Sequence, residues 1–182
     1  MFGTPDSPGP PRSPSMSTEV HRAQAPASVR CAVLTISDTR SAEDDRSGDL
    51  VRQNLRWRGH EVIEYEIVPD DASRIVALLR TWIARSEIQA VITNGGTGIA
   101  SRDNTYEAIV SLLDKQLPGF GEIFRMLSFA EIGAAAMLSR AVAGVAGDTA
   151  IFSVPGSSNA VSLAMERLIG PEIGHVVLEL TK

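Results

Sequence analysis

The stretch Thr93–Glu107, T-N-G-G-T-G-I-A-S-R-D-N-T-Y-E, gathers the residue types that handle phosphate. Gly95, Gly96 and Gly98 fall within four positions, Thr97 adds a hydroxyl, and the carboxylate of Asp103 follows. Glycine has no Cβ, so its backbone N–H can approach an anion closely. A glycine-rich turn between a strand and a helix is a seat for phosphate. A carboxylate beside it could hold the metal ion that neutralises that phosphate. The same glycines would also serve a tight turn by geometry alone. Two common nucleotide signatures are absent. There is no G-x-x-x-x-G-K-[ST], so the P-loop reading fails on its lysine. A dinucleotide fingerprint needs an acid closing a second strand about 20 residues on, and that place is taken by the turn Leu117-Pro118-Gly119.

The elements around this loop position it. Cys31–Ile36 is a continuous apolar run, as expected of a strand covered on both faces. Ser47–Arg58 reads as a helix stopped by Gly59, and Val62–Val68 as a second strand. Asp71–Arg85 is the clearest helix, because Ile75, Val76, Leu78, Leu79, Trp82 and Ile83 recur at spacings of three and four. Asp70 or Asp71 would cap its start. Gln89–Thr93 is a third strand and Thr105–Leu113 a helix. Glu122–Phe129 is an apolar helix, followed by the small-residue stretch Gly133–Leu138, which would suit close contact between subunits or a tight core. Ala141–Ala146 and Thr149–Val154 flank Gly147-Asp148, a two-residue hairpin signal. Asn159–Ile169 and Pro171–Leu180 close the chain as helices. Strands alternating with helices imply an α/β fold with a mostly parallel sheet, here with one added hairpin.

Ligands of open α/β sheets bind beyond the carboxyl ends of the strands. Four polar clusters follow predicted strands: Ser37-Asp38-Thr39-Arg40, Pro69-Asp70-Asp71, Gly95–Asp103 and Pro155-Gly156-Ser157-Ser158. Their convergence on one edge says more than any one of them. Asp70 and Asp103 are the candidate acids. Each, taken alone, is explained as well by helix capping. Together, beside a phosphate-type loop, they suit Mg²⁺, which is held by one or two carboxylates plus substrate phosphates. Arg140 could fork onto a phosphate or carboxylate, but from spacing the surface reading is favoured. Ser157 and Ser158 also suit helix caps, and Trp57 and Trp82 suit packing.

Composition narrows the classes. The chain has 182 residues, enough for one α/β domain, and a formal charge of −5, which argues against a nucleic-acid binder working through a general basic surface. No run approaches the roughly 18 apolar residues of a membrane span. Met1–Ser28 is rich in Pro, Ser and Ala and reads as a disordered tail, so the domain is expected over residues 29–182. No secretion signal is evident, and the lone Cys31, in an apolar run, reads as a core thiol. Both point to the cytoplasm. His21, His60 and His175 are scattered, and no zinc site is proposed.

These residues resemble the molybdopterin-binding domain of molybdenum cofactor biosynthesis proteins. The resemblance is carried by T-x-G-G-T-G with Arg102-Asp103, by Pro118-Gly119-Phe120-Gly121-Glu122, by Leu138-Ser139-Arg140, and by Pro155-Gly156-Ser157 with Asn159-Ala160-Val161. It runs from about Val29 to the C-terminus. Glu43-Asp44-Asp45-x-Ser47-Gly48, Phe124–Phe129 and Ser139–Val145 resemble the MoaB side of the MoaB/Mog branch. The resemblance implies a three-layer α/β/α sandwich and a homotrimer or dimer of trimers. It implies molybdopterin adenylyltransfer, in which ATP and molybdopterin, with Mg²⁺, give adenylyl-molybdopterin and pyrophosphate. Asp70 and Asp103 match the two aspartates required for transfer and are the expected metal holders. Ser37, Asp38, Gly95, Gly96, Thr97, Gly98, Ser128, Ser139, Arg140, Pro155, Gly156 and Ser157 are the expected substrate and nucleotide contacts. Asn94 and Tyr106 depart from the residues usual at their positions, with no loss of function expected.

Three readings follow. The first is the adenylyltransferase. The second is a protein that holds molybdopterin or a precursor without chemistry, which would not need a paired metal-holding carboxylate. The third, a trimeric scaffold like the family's larger relatives, is disfavoured by the lack of an added domain in these residues.

Overall fold

A computed structural model describes residues 24–101 and 103–182. Most of the expected tail, His21 and Arg102 therefore lie outside the described residues. Six strands form one sheet: β1 (Arg30–Ile36), β2 (Glu61–Val68), β3 (Ala90–Gly95), β4 (Lys115–Gln116), β5 (Val142–Ala146) and β6 (Thr149–Val154). The order is β2-β1-β3-β6-β5-β4. β2, β1, β3 and β6 run parallel, whereas β5 and β4 add an antiparallel margin. The expected sheet, parallel with one hairpin, is the one observed.

The helices are α1 (Arg46–Trp57), α2 (Ala72–Ile83), α3 (Thr105–Val110), α4 (Pro118–Ile132), α5 (Ser158–Ala164) and α6 (Gly170–Leu180). They cover the sheet on both faces. Val51 and Leu55 of α1, Phe124 of α4, Val161 and Leu163 of α5, and Ile173 and Val177 of α6 pack with Val33, Ile92 and Phe152. Ile75, Leu79 and Trp82 of α2 and Ile109 of α3 pack with Leu34, Val91 and Ile151 on the other face. The odd and even residues of β1, β3 and β6 thus feed two cores, which is why these strands read as unbroken apolar runs. β2 lies at the edge and is only half-buried, and its sequence E-V-I-E-Y-E mixes acidic and apolar residues accordingly.

Several boundaries differ from the sequence-based expectation. α4 begins at Pro118 rather than Glu122, because proline suits the first helical turn. The small-residue stretch Gly133–Leu138 is a 3₁₀ turn. α5 and α6 are joined through a π turn, Met165–Ile169, so that the chain stays helical from Ser158 to Leu180. β4 has only two residues and carries no periodic signal. Trp82 is buried as expected, but Trp57 is 80% exposed, with Arg58 stacked 5.5 Å from its ring. Trp57 sits two positions past the buried Leu55 and so falls off the apolar face of α1. Burial pushes the Cys31 thiol up to about 12, as expected of a core residue.

Candidate active site

The parallel strands end at one edge, and the four polar loops meet there. The Ser37 hydroxyl accepts from the N–H groups of Thr39 and Arg40, both at 3.3 Å, closing the first loop on itself. Asp38 Oδ1 accepts from the Asp70 N–H at 2.9 Å, joining the first loop to the second. Asp71, not Asp70, caps α2, accepting from Ser73 and Arg74 N–H. Asp70 is thereby released from the capping role, and its Oδ1 accepts from the Thr105 hydroxyl at 2.6 Å. Thr105 opens α3 and packs against the glycine loop. A Cβ on Gly96 would lie 2.6 Å from Thr105 Cγ2.

Asp103 is not a helix cap either. Asn104 occupies that position in α3 and makes no side-chain cap bond. Asp103 Oδ2 accepts from the Ala100 N–H at 2.8 Å, and a Cβ on Gly98 would overlap the Asp103 carboxylate. Asp70 therefore reaches one flank of Gly95–Gly98 through Thr105, and Asp103 lies directly against the other end.

Gly95 and Gly96 have φ of +100° and +64°, the region that side-chain-bearing residues resist. Gly156 completes the seam: a Cβ there would lie 3.1 Å from Gly95 Cα, so two bare backbones touch. Ser157 caps α5, accepting from Ala160 N–H at 3.3 Å.

Arg140 departs from the favoured surface reading. Its Nε donates to Thr97 O at 3.1 Å, its Nη2 to Gly98 O, and its Nη1 pairs with Glu107, while Tyr106 lies 4.5 Å beneath the guanidinium. It grips the outer half of the glycine loop by its carbonyls. A lone arginine before a strand gives no sequence signal for such a grip.

Two hollows flank the seam. One, of about 390 Å³, is lined by Ser128, Ser139, Pro155 and Ser157 among others, so four expected contacts share one wall set. The other, of about 590 Å³, is lined by Ser37, Asp38 and Arg40 and backed by Tyr65 and Pro69. Neither is lined by Asp70, Asp103 or Gly95–Gly98.

A buried polar cluster, given no task by the sequence, lies below. Asp45 is 1% exposed and accepts from Thr35 at 2.5 Å, Tyr65 at 2.7 Å, and Ser47 and Gly48 N–H at 3.0 Å. Burial pushes its carboxyl up, but the hydrogen bonds from Thr35, Gly48, Tyr65 and Ser47 outweigh that and hold it below its ordinary value. Asn94, expected to be a neutral departure, joins this cluster and is fully buried.

The donor set suits a hard cation. Asp70 and Asp103 offer carboxylate oxygens, and no group of three or more acidic, imidazole or thiol side chains that could hold a metal ion occurs among the described residues. In general Mg²⁺ is bound through one or two carboxylates plus substrate phosphates and retained water.

Residues 32–175 match the family described as a probable molybdopterin binding domain. Molybdenum cofactor biosynthesis protein B of Halalkalibacterium halodurans is 58% identical over 168 residues, covering 92% of this chain and 99% of that protein. Its counterpart in Bacillus subtilis is 53% identical over 168 residues, with the same coverage of 92% and 99%. A crystal structure of a molybdenum cofactor biosynthesis protein B superposes with a TM-score of 0.83 at 52% identity, over 87% of this chain and 99% of that one. The tungsten cofactor synthesizing protein MoaB of Pyrococcus furiosus superposes at 0.78 with 39% identity, over 87% of this chain and 100% of that one. The loops bearing Asp70, Gly95–Gly98, Asp103, Ser139-Arg140 and Pro155–Ser157 lie inside the matched span. The chain belongs to the molybdopterin-binding-domain family, in its MoaB/Mog branch.

Proposed function

We propose that this chain serves molybdenum cofactor biosynthesis in the cytoplasm by transferring AMP from ATP to molybdopterin. One observation carries the reading: two carboxylates, neither used as a helix cap, flank the same glycine loop from opposite ends. In the reaction, the terminal phosphate oxygen of molybdopterin attacks the α-phosphorus of ATP. A new P–O–P link forms, the bond from the α-phosphorus to the bridging oxygen breaks, and pyrophosphate leaves. The nucleophile is already anionic, so no strong base is required, and no histidine belongs to the four loops. Catalysis is then positioning and charge neutralisation. Asp70 and Asp103 would hold Mg²⁺, which supplies positive charge to the phosphates. The N–H groups of Gly95–Gly98 face the nucleotide, and Arg140 fixes that loop. Ser128, Ser139 and Ser157 offer hydroxyls to the pterin and its phosphate.

A second reading, pterin holding without transfer, is favoured by the hollow of Ser128, Ser139, Pro155 and Ser157, which contains neither aspartate. One assay separates the two. Purified protein with molybdopterin, ATP and Mg²⁺ should yield AMP-linked pterin and pyrophosphate; tight pterin binding without product would replace the first reading by the second.

We also propose that copies of the chain associate through α4. Ile123, Met126, Phe129 and Ile132 recur every third residue, and Met137 and Leu138 extend the patch. Met126, Phe129 and Met137 are 63%, 62% and 77% exposed, and grouped exposed apolar side chains mark interaction sites. The combined change Met126→Glu and Phe129→Glu should reduce the mass measured by light scattering to the 19.4 kDa of one chain. An unchanged larger mass would place the contact elsewhere.

A further inference from the structure

Beneath the four loops lies a carboxylate that touches no loop hydroxyl or glycine expected to meet substrate. We infer that Asp45 is a positioning residue: through Arg40, Ser47 and Asn94 it locks the loops after β1, β3 and β6 at a fixed spacing for the transfer step. Only the kinetic part of this inference rests on the adenylyltransfer reading.

The ties are specific. Arg40 is the link to the outer loops. Its Nη1 donates to Ser47 Oγ and lies 3.5 Å from Asp45 Oδ1, and its Nη2 donates to Gly156 O at 3.0 Å. Asn94 is the link to the glycine loop, which begins one residue later. Its Oδ1 lies 2.7 Å from Ser47 Oγ and shares the single Ser47 hydroxyl proton with Asp45, and its Nδ2 donates to Thr35 Oγ1 at 3.0 Å and Leu34 O at 3.4 Å. Tyr65, on the strand that leads to Asp70, donates to Asp45 Oδ2. One carboxylate therefore binds groups from β1, α1 and β2 directly, and from β3 and the Gly156 loop through one intermediary.

A plain helix cap would not need this arrangement. Capping α1 requires one oxygen and one N–H, and Gly48 N–H meets that need at Asp45 Oδ1. The remaining donors, Thr35, Tyr65 and Ser47, and the nearby charge of Arg40 suit an acceptor with two charged oxygens. A buried charge is costly to keep, and an apolar core of the same volume is often as stable. Asp45 is the sole buried acid among the described residues, and Arg40 links it to Gly156, whose backbone meets that of Gly95.

The test uses Asp45→Asn, Arg40→Lys and the double change in the full chain. Asparagine keeps the shape of aspartate but turns an N–H₂ toward groups that donate. Lysine keeps the charge of arginine but loses its planar fork. Asp45→Asn should lower kcat for adenylyl transfer by about tenfold or more while the Kd for molybdopterin stays within about twofold, because a small misplacement weakens the reaction more than the binding. Arg40→Lys should give a smaller loss of the same kind, and the double change no more than Asp45→Asn alone. Amide exchange should quicken at Asn94–Gly98 and Gly156–Ser158 and stay unchanged in α4. A merely structural role would lower Tm and yield but leave kcat per folded molecule intact, and that result would overturn the inference. Additive losses in the double change would also overturn it. If Asp45→Asn does not fold, Arg40→Lys carries both the kinetic and exchange tests. If the unmodified chain makes no AMP-linked pterin, the adenylyltransfer reading fails, and the exchange measurement still decides whether Asp45 clamps the loops.

Discussion

Asp70→Asn and Asp103→Asn are each expected to lower adenylyl transfer by about 10²–10³-fold, the scale of losing one preorganised charge-stabilising group. Pterin binding should change little, because Ser128, Ser139 and Ser157 line a hollow that holds neither acid. The folds should survive. Asparagine at 70 can still accept from the Thr105 hydroxyl, and asparagine at 103 can still accept from the Ala100 N–H. What each variant loses is the negative charge that would hold Mg²⁺. Pyrophosphate release reads the chemical step, and quenching of pterin fluorescence reads binding. An Asn variant that turns over at the unmodified rate would remove that aspartate from the mechanism. Removal of Mg²⁺ by a chelator should likewise lower adenylyl transfer without mutation.

Gly95→Ala should be the most damaging single methyl in the molecule. The backbone there has φ +100°, and the added Cβ would overlap the carbonyl oxygen of Ile36, the last residue of β1, which is paired on both sides by β2 and β3. A strained backbone costs roughly 1–3 kcal/mol and overpacking roughly 1–3 kcal/mol, so the total is about 2–6 kcal/mol. For a chain of this length that is a fall in Tm of about 5–20 °C. Gly119→Ala is the control: nothing lies within 4 Å of its Cβ position and its φ is ordinary. If Gly95→Ala melts with the unmodified chain, the strand end at Ile36 must be able to move. The fixed seam described above would then be wrong.

The strands and helices were legible because burial writes itself into periodicity. β1 and β3 have two covered faces and read as continuous apolar runs, while α2 shows one face every three to four residues. β4 was not legible, since two residues cannot carry a period and their pairing with Val145 and Gly144 is set from a distance. The loops were found because strand ends are where ligands bind, but adjacent carboxylates could not be told apart. Asp70 and Asp71 are equivalent in type, and only the geometry assigns Asp71 to Ser73 and Arg74 and leaves Asp70 to Thr105. Asn94 had no signal at all. Its neighbours in space, Thr35 and Ser47, are 59 and 47 residues away, and a polar residue buried inside a strand end shows no pattern until its partners are known. The grip of Arg140 on the loop carries no sequence signal for the same reason: its acceptors are main-chain carbonyls, which every residue possesses.

Gly95 and Gly156 leave nothing to trade. When a side chain crowds another, evolution can shrink the second to make room for the first, but here both members of the pair already have the smallest residue there is. A bulkier replacement at either place has no rescuing partner across the gap. A genetic screen for suppressors of such a change should return hits in distant elements or true revertants, never in the facing loop. Attempts to reshape this protein for a larger ligand belong on the outer rim around the exposed Ser41, where chain can be added without prying the two backbones apart.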